Sequence, residues 1–551
     1  MNLTRMSGLG VAVAASLATI ATGLAPAVAQ ASVPGGSPTT AVTHHAGTRG
    51  VAKLIPRHVP TAATPAATLP RGARRLPSGH YSATEAVPGA PTSAATLGAA
   101  ATTSSPLVNF NGVSSRDSQF TNYEQTFEPP DQGLCEGNGF VLEAVNSAYR
   151  IYRKTGQSLR GPFNINDLFN VGGKEFTSDP RCWFDPTTKT WFATILFIND
   201  SSTASSLLIA VRHNPDPRGL WNEYSIDTTG VGGNGCPCFG DQPRLGIDQT
   251  NLYVTADEFS ILGPQFNGAE VWAIDKAGLV AGVASPHFVQ FAHLAIDGQL
   301  TVAPQPALST GKPGAEYFLS SLDFNGKGDK RIGVWAMTNR GQVGAGGMPV
   351  LSSAVISSEA YAIPPPAPQK GVKRTLDSGD DRMQQAAFAG GTVWGELTTA
   401  VQPAGDSSVR AGGAWFQVRP RLGPAGITGA SIVRQGYIDS AGQYVLYPAV
   451  QPDAAGNAAV VFTLTSTTRF PSAAYAILKA GGRNFGPAVV AASGTGPYAP
   501  KATRWGDYSF AVPDDVSDSA WFATEYIPPK SSQTTTGVRN WGTRVFQVPL
   551  G

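Results

Sequence analysis

The residues of this 551-residue sequence best suited to chemistry are carboxylates and arginines that return in short polar phrases. The phrases are Pro130-Asp131-Gln132, Ser178-Asp179-Pro180-Arg181, Gly240-Asp241-Gln242-Pro243-Arg244, Pro304-Gln305-Pro306, Asp380-Asp381-Arg382, Tyr447-Pro448 and Arg504-Trp505-Gly506-Asp507-Tyr508. Carboxyl groups shielded from water can donate or take a proton, and a pair of them is the usual machinery for cleaving a glycosidic bond. In this reading Glu525 or Glu258 protonates a leaving oxygen, and Asp241 or Asp507 acts as base or nucleophile. Tyr447 or Tyr508 would serve a lyase instead. Arg181, Arg244, Arg382 and Arg504 can clamp an acidic sugar through bidentate, charge-assisted hydrogen bonds. Asp179, Asp381, Tyr447 and Tyr508 complete the expected substrate-binding set.

Such residues act together only if the fold brings them together, and their spacing suggests how. The phrases start roughly 50 to 80 residues apart, the spacing of four-stranded propeller blades. Each is followed by a run rich in β-branched and aromatic residues, read as the second strand of a unit: Phe140 to Val145, Trp191 to Ile198, Leu252 to Phe259, Tyr317 to Leu322, Val393 to Thr399, Ala458 to Thr465 and Trp521 to Ile527. A third strand recurs after each, from Tyr149-Arg150-Ile151-Tyr152 in the first unit to Val545 to Val548 in the last. No segment has the apolar period and caps of a long helix. The expected fold is all-β, a seven-bladed β-propeller over residues 107–551; two stacked sandwiches would not explain why the polar phrase returns. The apolar Leu107-Val108-Asn109-Phe110 is the candidate to close the ring against Val545 to Val548.

In a propeller the first strand of each blade lies nearest the axis, so residues at its start should converge on one opening. That rim would also include Gln305 and Gln384. Second strands run antiparallel to the first and end at the same level, which would bring Glu143, Glu258, Glu396 and Glu525 to the rim. The bland alternative is that these groups tie adjacent blades together.

Other segments narrow the setting. Arg5, the apolar run Val11 to Leu24 and Ala27-Val28-Ala29 read as a signal peptide over 1–31, which predicts a secreted, extracellular chain. Residues 32–106, dominated by Ala, Pro, Thr, Ser and Gly, read as a disordered linker or propeptide. Lys and Arg number 40 against 38 Asp and Glu, and charged residues are only 14% of the chain, so no basic stripe exists to hold nucleic acid. Cys135, Cys182, Cys236 and Cys238 suit disulfides in an oxidising compartment, with Cys135–Cys182 and Cys236–Cys238 the favoured pairing. The histidines, including His287 and His293 in an expected loop, lack metal-ligand spacing, and no motif calls for a metal or cofactor. A monomer with no transmembrane anchor in its mature form is expected.

The phrases around Asp131, Asp179, Asp241 and Trp505-Gly506-Asp507 resemble an uncharacterised family of secreted bacterial β-propeller proteins, across most of residues 107–551. That resemblance implies fold and export and assigns no catalytic residue. More loosely the chain is similar to the sialidase-like propeller superfamily, whose arginine cluster binds a sugar carboxylate; it departs from that pattern in lacking a Ser-x-Asp-x-Gly-x-x-Trp box. The expected function is a carbohydrate-active enzyme, a glycoside hydrolase or polysaccharide lyase, acting on acidic or neutral glycans. The alternative is a non-catalytic module for an extracellular glycan, cell-wall component or protein. Trp183, Trp221, Trp394 and Trp505 would be its stacking platforms, unless they pack the core.

Overall fold

The computed structural model describes residues 42–56, 90–93, 105–122, 127–173, 175–230, 235–302, 304–498, 504–534 and 539–551. The expected signal peptide lies outside them. The chain forms four-stranded antiparallel meanders over 133–164, 176–227, 238–296, 305–361, 383–438 and 444–492. A last one, over 510–549, takes Val108–Ser114 as its fourth strand. The first strand of each meander packs against the first strand of the next, and Phe510–Pro513 packs against Gly133–Gly137, so the sheets close into the ring of a β-propeller. Short parallel bridges join some of these inner strands, Ile247 with Leu308 and Ala307 with Ala386.

Ring closure follows the apolar N-terminal run. Phe110 lies opposite Val545 and Val108 opposite Gln547, while the Leu107 N–H donates to the Gln547 carbonyl at 2.8 Å. Alternation explains why these strands work as blades: each buries both faces against its neighbours, so the core is spread around the ring. Val461 and Tyr475 of one meander, for example, share a cluster with Phe522 and Phe546 of the next.

Two expectations need correction. Residues 42–56 fall in the stretch read as disordered, yet they add an outer strand to three successive meanders. Thr43–His45 pairs with 351–353, Thr48–Val51 with 287–290 and Lys53–Leu54 with 224–225, and Ala52 is fully buried. Polar and small residues suffice there because an outer edge needs backbone hydrogen bonds more than apolar side chains. His287 and His293 lie not in a loop but on the strand His287–Ile296, where His293 takes a left-handed φ of 52° beside a bulge. Among the described residues no helix is long and apolar enough to cross a membrane.

Candidate functional site

The polar phrases share a backbone device. Near the start of the inner strands the chain passes through the left-handed region at Asp131, Asp179, Gln242, Tyr447 and Gly506, with φ of 48°, 60°, 51°, 49° and 86°. Register shifts mark the same level, between Asp241 and Arg244 and between Leu446 and Ala449. A bulge turns side chains away from the sheet's simple alternation, and here it gathers charge inside the ring. At Gly506 a Cβ would stand 2.0 Å from the Tyr447 ring, so only glycine permits that tyrosine its place.

The gathered groups form a bonded cluster. Asp131 accepts the Asp507 N–H at 3.0 Å and the Asn146 amide at 2.6 Å. Asn146 in turn accepts the Asp179 N–H at 2.7 Å. Arg504 bonds to Asp507. Arg181 lies 3.7 Å above the Tyr508 ring, and Gln132 donates to the Tyr508 carbonyl. On the facing blades, Asp257 receives Arg244 at 3.0 Å and Arg382 at 3.2 Å, and Arg382 also holds Asp380 at 2.9 Å. All of these carboxylates are buried.

Burial pushes the Asp131 carboxyl well above its ordinary range, and the like charges of Asp507 and Asp179 push it the same way. Burial raises Asp179 as well, against the pull of Arg181. Crowded carboxyl groups of this kind retain a proton that an exposed aspartate would lose. Several buried polar atoms of the cluster have no hydrogen-bond partner among the described residues: the hydroxyls of Tyr447 and Tyr508, Nε and Nη1 of Arg244, and Oδ1 of Asp179.

The structure therefore brings together Asp131, Asp179, Arg181, Tyr447, Arg504, Asp507 and Tyr508. It brings Glu525 beside them in a supporting place: its carboxylate accepts the Gly506 N–H at 2.7 Å. Arg244 and Arg382 are committed to Asp257, and burial together with the neighbouring Asp323 raises Asp381. Gln305 donates to the Met383 carbonyl at 2.8 Å, a tie between neighbouring meanders. Glu143 accepts the Val113 N–H at 2.8 Å, tying the closing strand, and Glu396 is fully buried, which raises its carboxyl well above the ordinary range. Backbone groups thus claim two of these side chains, the Met383 carbonyl accepting from Gln305 and the Val113 N–H donating to Glu143.

Asp241 and Glu258 do not join the cluster as a pair. Asp241 lies half-buried opposite Asp257 in the register, and Glu258 projects to the other face of its strand. There Glu258 shares a hydrogen bond with Glu270, and His293 lies 4.0 Å away. Trp183, Trp221, Trp394 and Trp505 are all buried, which makes them core residues and not stacking platforms. Sequence reasoning passed over Asp257 and Asn146, and gave Asp380 a place in a polar phrase without a role. Asp257 adjoins Glu258, and only the strand's period of two distinguishes their faces.

The far ends of the inner strands border a cavity of about 280 Å³, lined by Glu136, Asp185, Asp248, Lys276, Asp514 and Asp515 among others. Its charges are paired, within the lining or with cations outside it. Lys276 meets Asp185 at 3.1 Å, and Lys154 meets Glu136, Asp514 and Asp515 at 2.8, 2.7 and 3.0 Å. Both disulfides pair as expected, Cys135 with Cys182 and Cys236 with Cys238.

No protein-family model and no curated protein matches the chain. Among solved structures it is similar to the Hadza microbial sialidase Hz136, with 12% identity over 76% of this chain and 65% of that one, at a TM-score of 0.33. It is also similar to the hemagglutinin-neuraminidase ectodomain of parainfluenza virus 5, with 11% identity over 66% and 80% of the two chains and a TM-score of 0.32. An exo-β-1,3-galactanase from Clostridium thermocellum matches at 12% identity over 80% and 96%, with a TM-score of 0.29. The likeness is loose, and the chemistry of the site rests on its own residues.

Proposed function

We propose that this chain is a secreted, seven-bladed β-propeller that cleaves glycans at the Asp131–Asp179–Asp507 cluster. The observation that carries this reading is the crowding of three buried aspartates beside the guanidinium groups of Arg181 and Arg504, with tyrosine hydroxyls at the same place that have no hydrogen-bond partner among the described residues. A scaffold needs hydrogen bonds, and neutral pairs would supply them at less cost than crowded carboxyl groups. A carboxyl kept protonated by burial can protonate a glycosidic oxygen, and an ionised neighbour can activate water or take a proton. Asp131 fits the acid, Asp507 with Arg504 fits the ionised partner, and Glu525 positions the Gly506 turn between them. Tyr447 and Tyr508 would meet sugar hydroxyls or act as base in a lyase.

A second reading, a binding module without turnover, draws support from Arg244 and Arg382. Both are already bound to Asp257, as a fixed, pre-shaped lattice requires. Incubation of the purified chain with acidic and neutral polysaccharides, measuring product release and binding together, separates the two. The catalytic reading expects release that falls about a hundredfold in Asp131→Asn or Asp507→Asn with folding retained. Binding without release establishes the module instead, and neither activity overturns both.

A further inference from the structure

We infer that the Cys236–Cys238 bridge is a site of thiol–disulfide exchange, built to react with an external thiol, whereas Cys135–Cys182 is structural. The inference stands apart from the glycan reading and uses none of its residues.

The two bridges differ in setting. Cys135 and Cys182 are both fully buried, lie 47 positions apart, and pin the inner strands of adjacent meanders. Cys236 and Cys238 lie two positions apart where the third meander begins, with Cys236 partly exposed and Cys238 fully buried. Closing so short a loop removes little chain entropy, so opening it leaves the fold intact. Exchange also requires that one sulfur be reachable and that a proton be at hand for the thiolate that leaves.

The surroundings supply that proton. Glu258 Oε1 lies 3.9 Å from the Cys236 sulfur, and a Glu258 carboxylate oxygen lies within 4.8 Å of the Cys238 sulfur. Glu258 and Glu270 share a hydrogen bond, and Gln290 holds Glu270 at 3.2 Å. His293, half-exposed, has its Nδ1 4.0 Å from Glu258 and 2.9 Å from the Asn267 carbonyl, which gives the pair a route to solvent. The Asn267 amide lies 3.6 Å from the Cys238 sulfur, where it can stabilise a thiolate. Burial pushes the Glu258 carboxyl up to about 7, so near neutrality it can both give and take a proton.

The step balances with an external thiol as the reductant. Its thiolate attacks the reachable sulfur of Cys236, the bridge breaks, and the electron pair leaves with Cys238, which takes a proton from the glutamate pair. A second thiolate then attacks the external sulfur of the mixed disulfide. An external disulfide departs, and Cys236 leaves as a thiolate that is protonated through Glu258. Two thiols are oxidised to one disulfide as one protein disulfide is reduced to two thiols.

The test follows the full mature chain in glutathione redox buffers, with alkylation and peptide mass analysis at each bridge. The expected result is reduction of Cys236–Cys238 at least about tenfold faster than Cys135–Cys182, with unchanged tryptophan fluorescence. Glu258→Gln should slow that exchange about tenfold and remove the inflection near pH 7 that remains once the titration of glutathione itself is subtracted. The Glu270→Gln variant and the unmodified chain's own pH profile give the same readout if Glu258→Gln does not fold. Equal resistance of both bridges, reduction only on unfolding, or a pH profile that follows glutathione alone would each overturn the inference.

Discussion

Two groups of buried carboxylates stand near the same end of this ring of sheets, and their partners set them apart. The aspartates of the central cluster, with Asp257 and Asp380 facing them, are interleaved with guanidinium groups; Asp257 alone receives Arg244 and Arg382. Glu258 and Glu270 have each other, a histidine and a disulfide. Around Asp257 and Asp380 the buried carboxylates are matched by guanidinium groups. The Glu258–Glu270 pair relieves burial by holding a proton, because among the described residues no lysine or arginine pairs with it. The same residue types at the same level of a strand thus become a fixed electrostatic lattice in one place and a titrating pair in the other.

The sharpest way to break the contrast is to remove a cation from the lattice. Arg382→Met should cost about 3 to 5 kcal/mol in denaturant unfolding, because it takes the guanidinium from the buried Asp380 and leaves Asp257 with Arg244 alone. Glu258→Gln replaces a group that already carries a proton and should cost far less. Comparable losses in both variants would erase the distinction.

The disulfides sharpen it further. In the chain-entropy account, losing Cys135–Cys182 as a double serine variant should cost about 4 kcal/mol, against about 1.6 kcal/mol for Cys236–Cys238. Urea titration of the two double variants checks the order. A reversed order would mean that the short bridge holds the third meander in place.

The smallest effect is a slope in pH. Glu258 titrates near 4.5 when unfolded and is pushed up to about 7 by burial in the fold. Between those values the folded state binds more protons than the unfolded one, so its contribution to stability is greatest below pH 4.5 and is lost as pH rises to 7. Glu143, also pushed up to about 7, and Glu136, pushed up to about 8, act in the same direction. Stability measured from pH 5 to 7 should therefore fall, and it should fall less steeply in Glu258→Gln. An unchanged slope would place the carboxyl pair in water.

Much of this was legible along the chain. The polar phrases, the second and third strands, the closing run at Leu107 to Phe110 and both cysteine pairings were read from period and spacing. These signals survive in one dimension because each comes from a local rule: a strand buried on both faces is continuously apolar, and a turn needs its own residues. The fourth strands and residues 42–56 left little trace. Outer strands such as His287–Ile296 carry polar and exposed residues, and what holds them is backbone pairing, to which side-chain pattern is nearly blind.

The site divides along the same line. Residue types alone marked Asp131, Asp179, Arg504, Asp507 and Tyr508 as groups that belong together, since each opens an inner strand. Only the tertiary structure decided that Asp257 faces Arg244 and Arg382 while its neighbour Glu258 faces Cys236 and Glu270. Adjacent residues on a strand point to opposite faces, and a bulge displaces that alternation by one position. Which face a carboxylate takes, and so whether it meets a guanidinium or another carboxyl group, is settled by pairing between strands far apart in sequence.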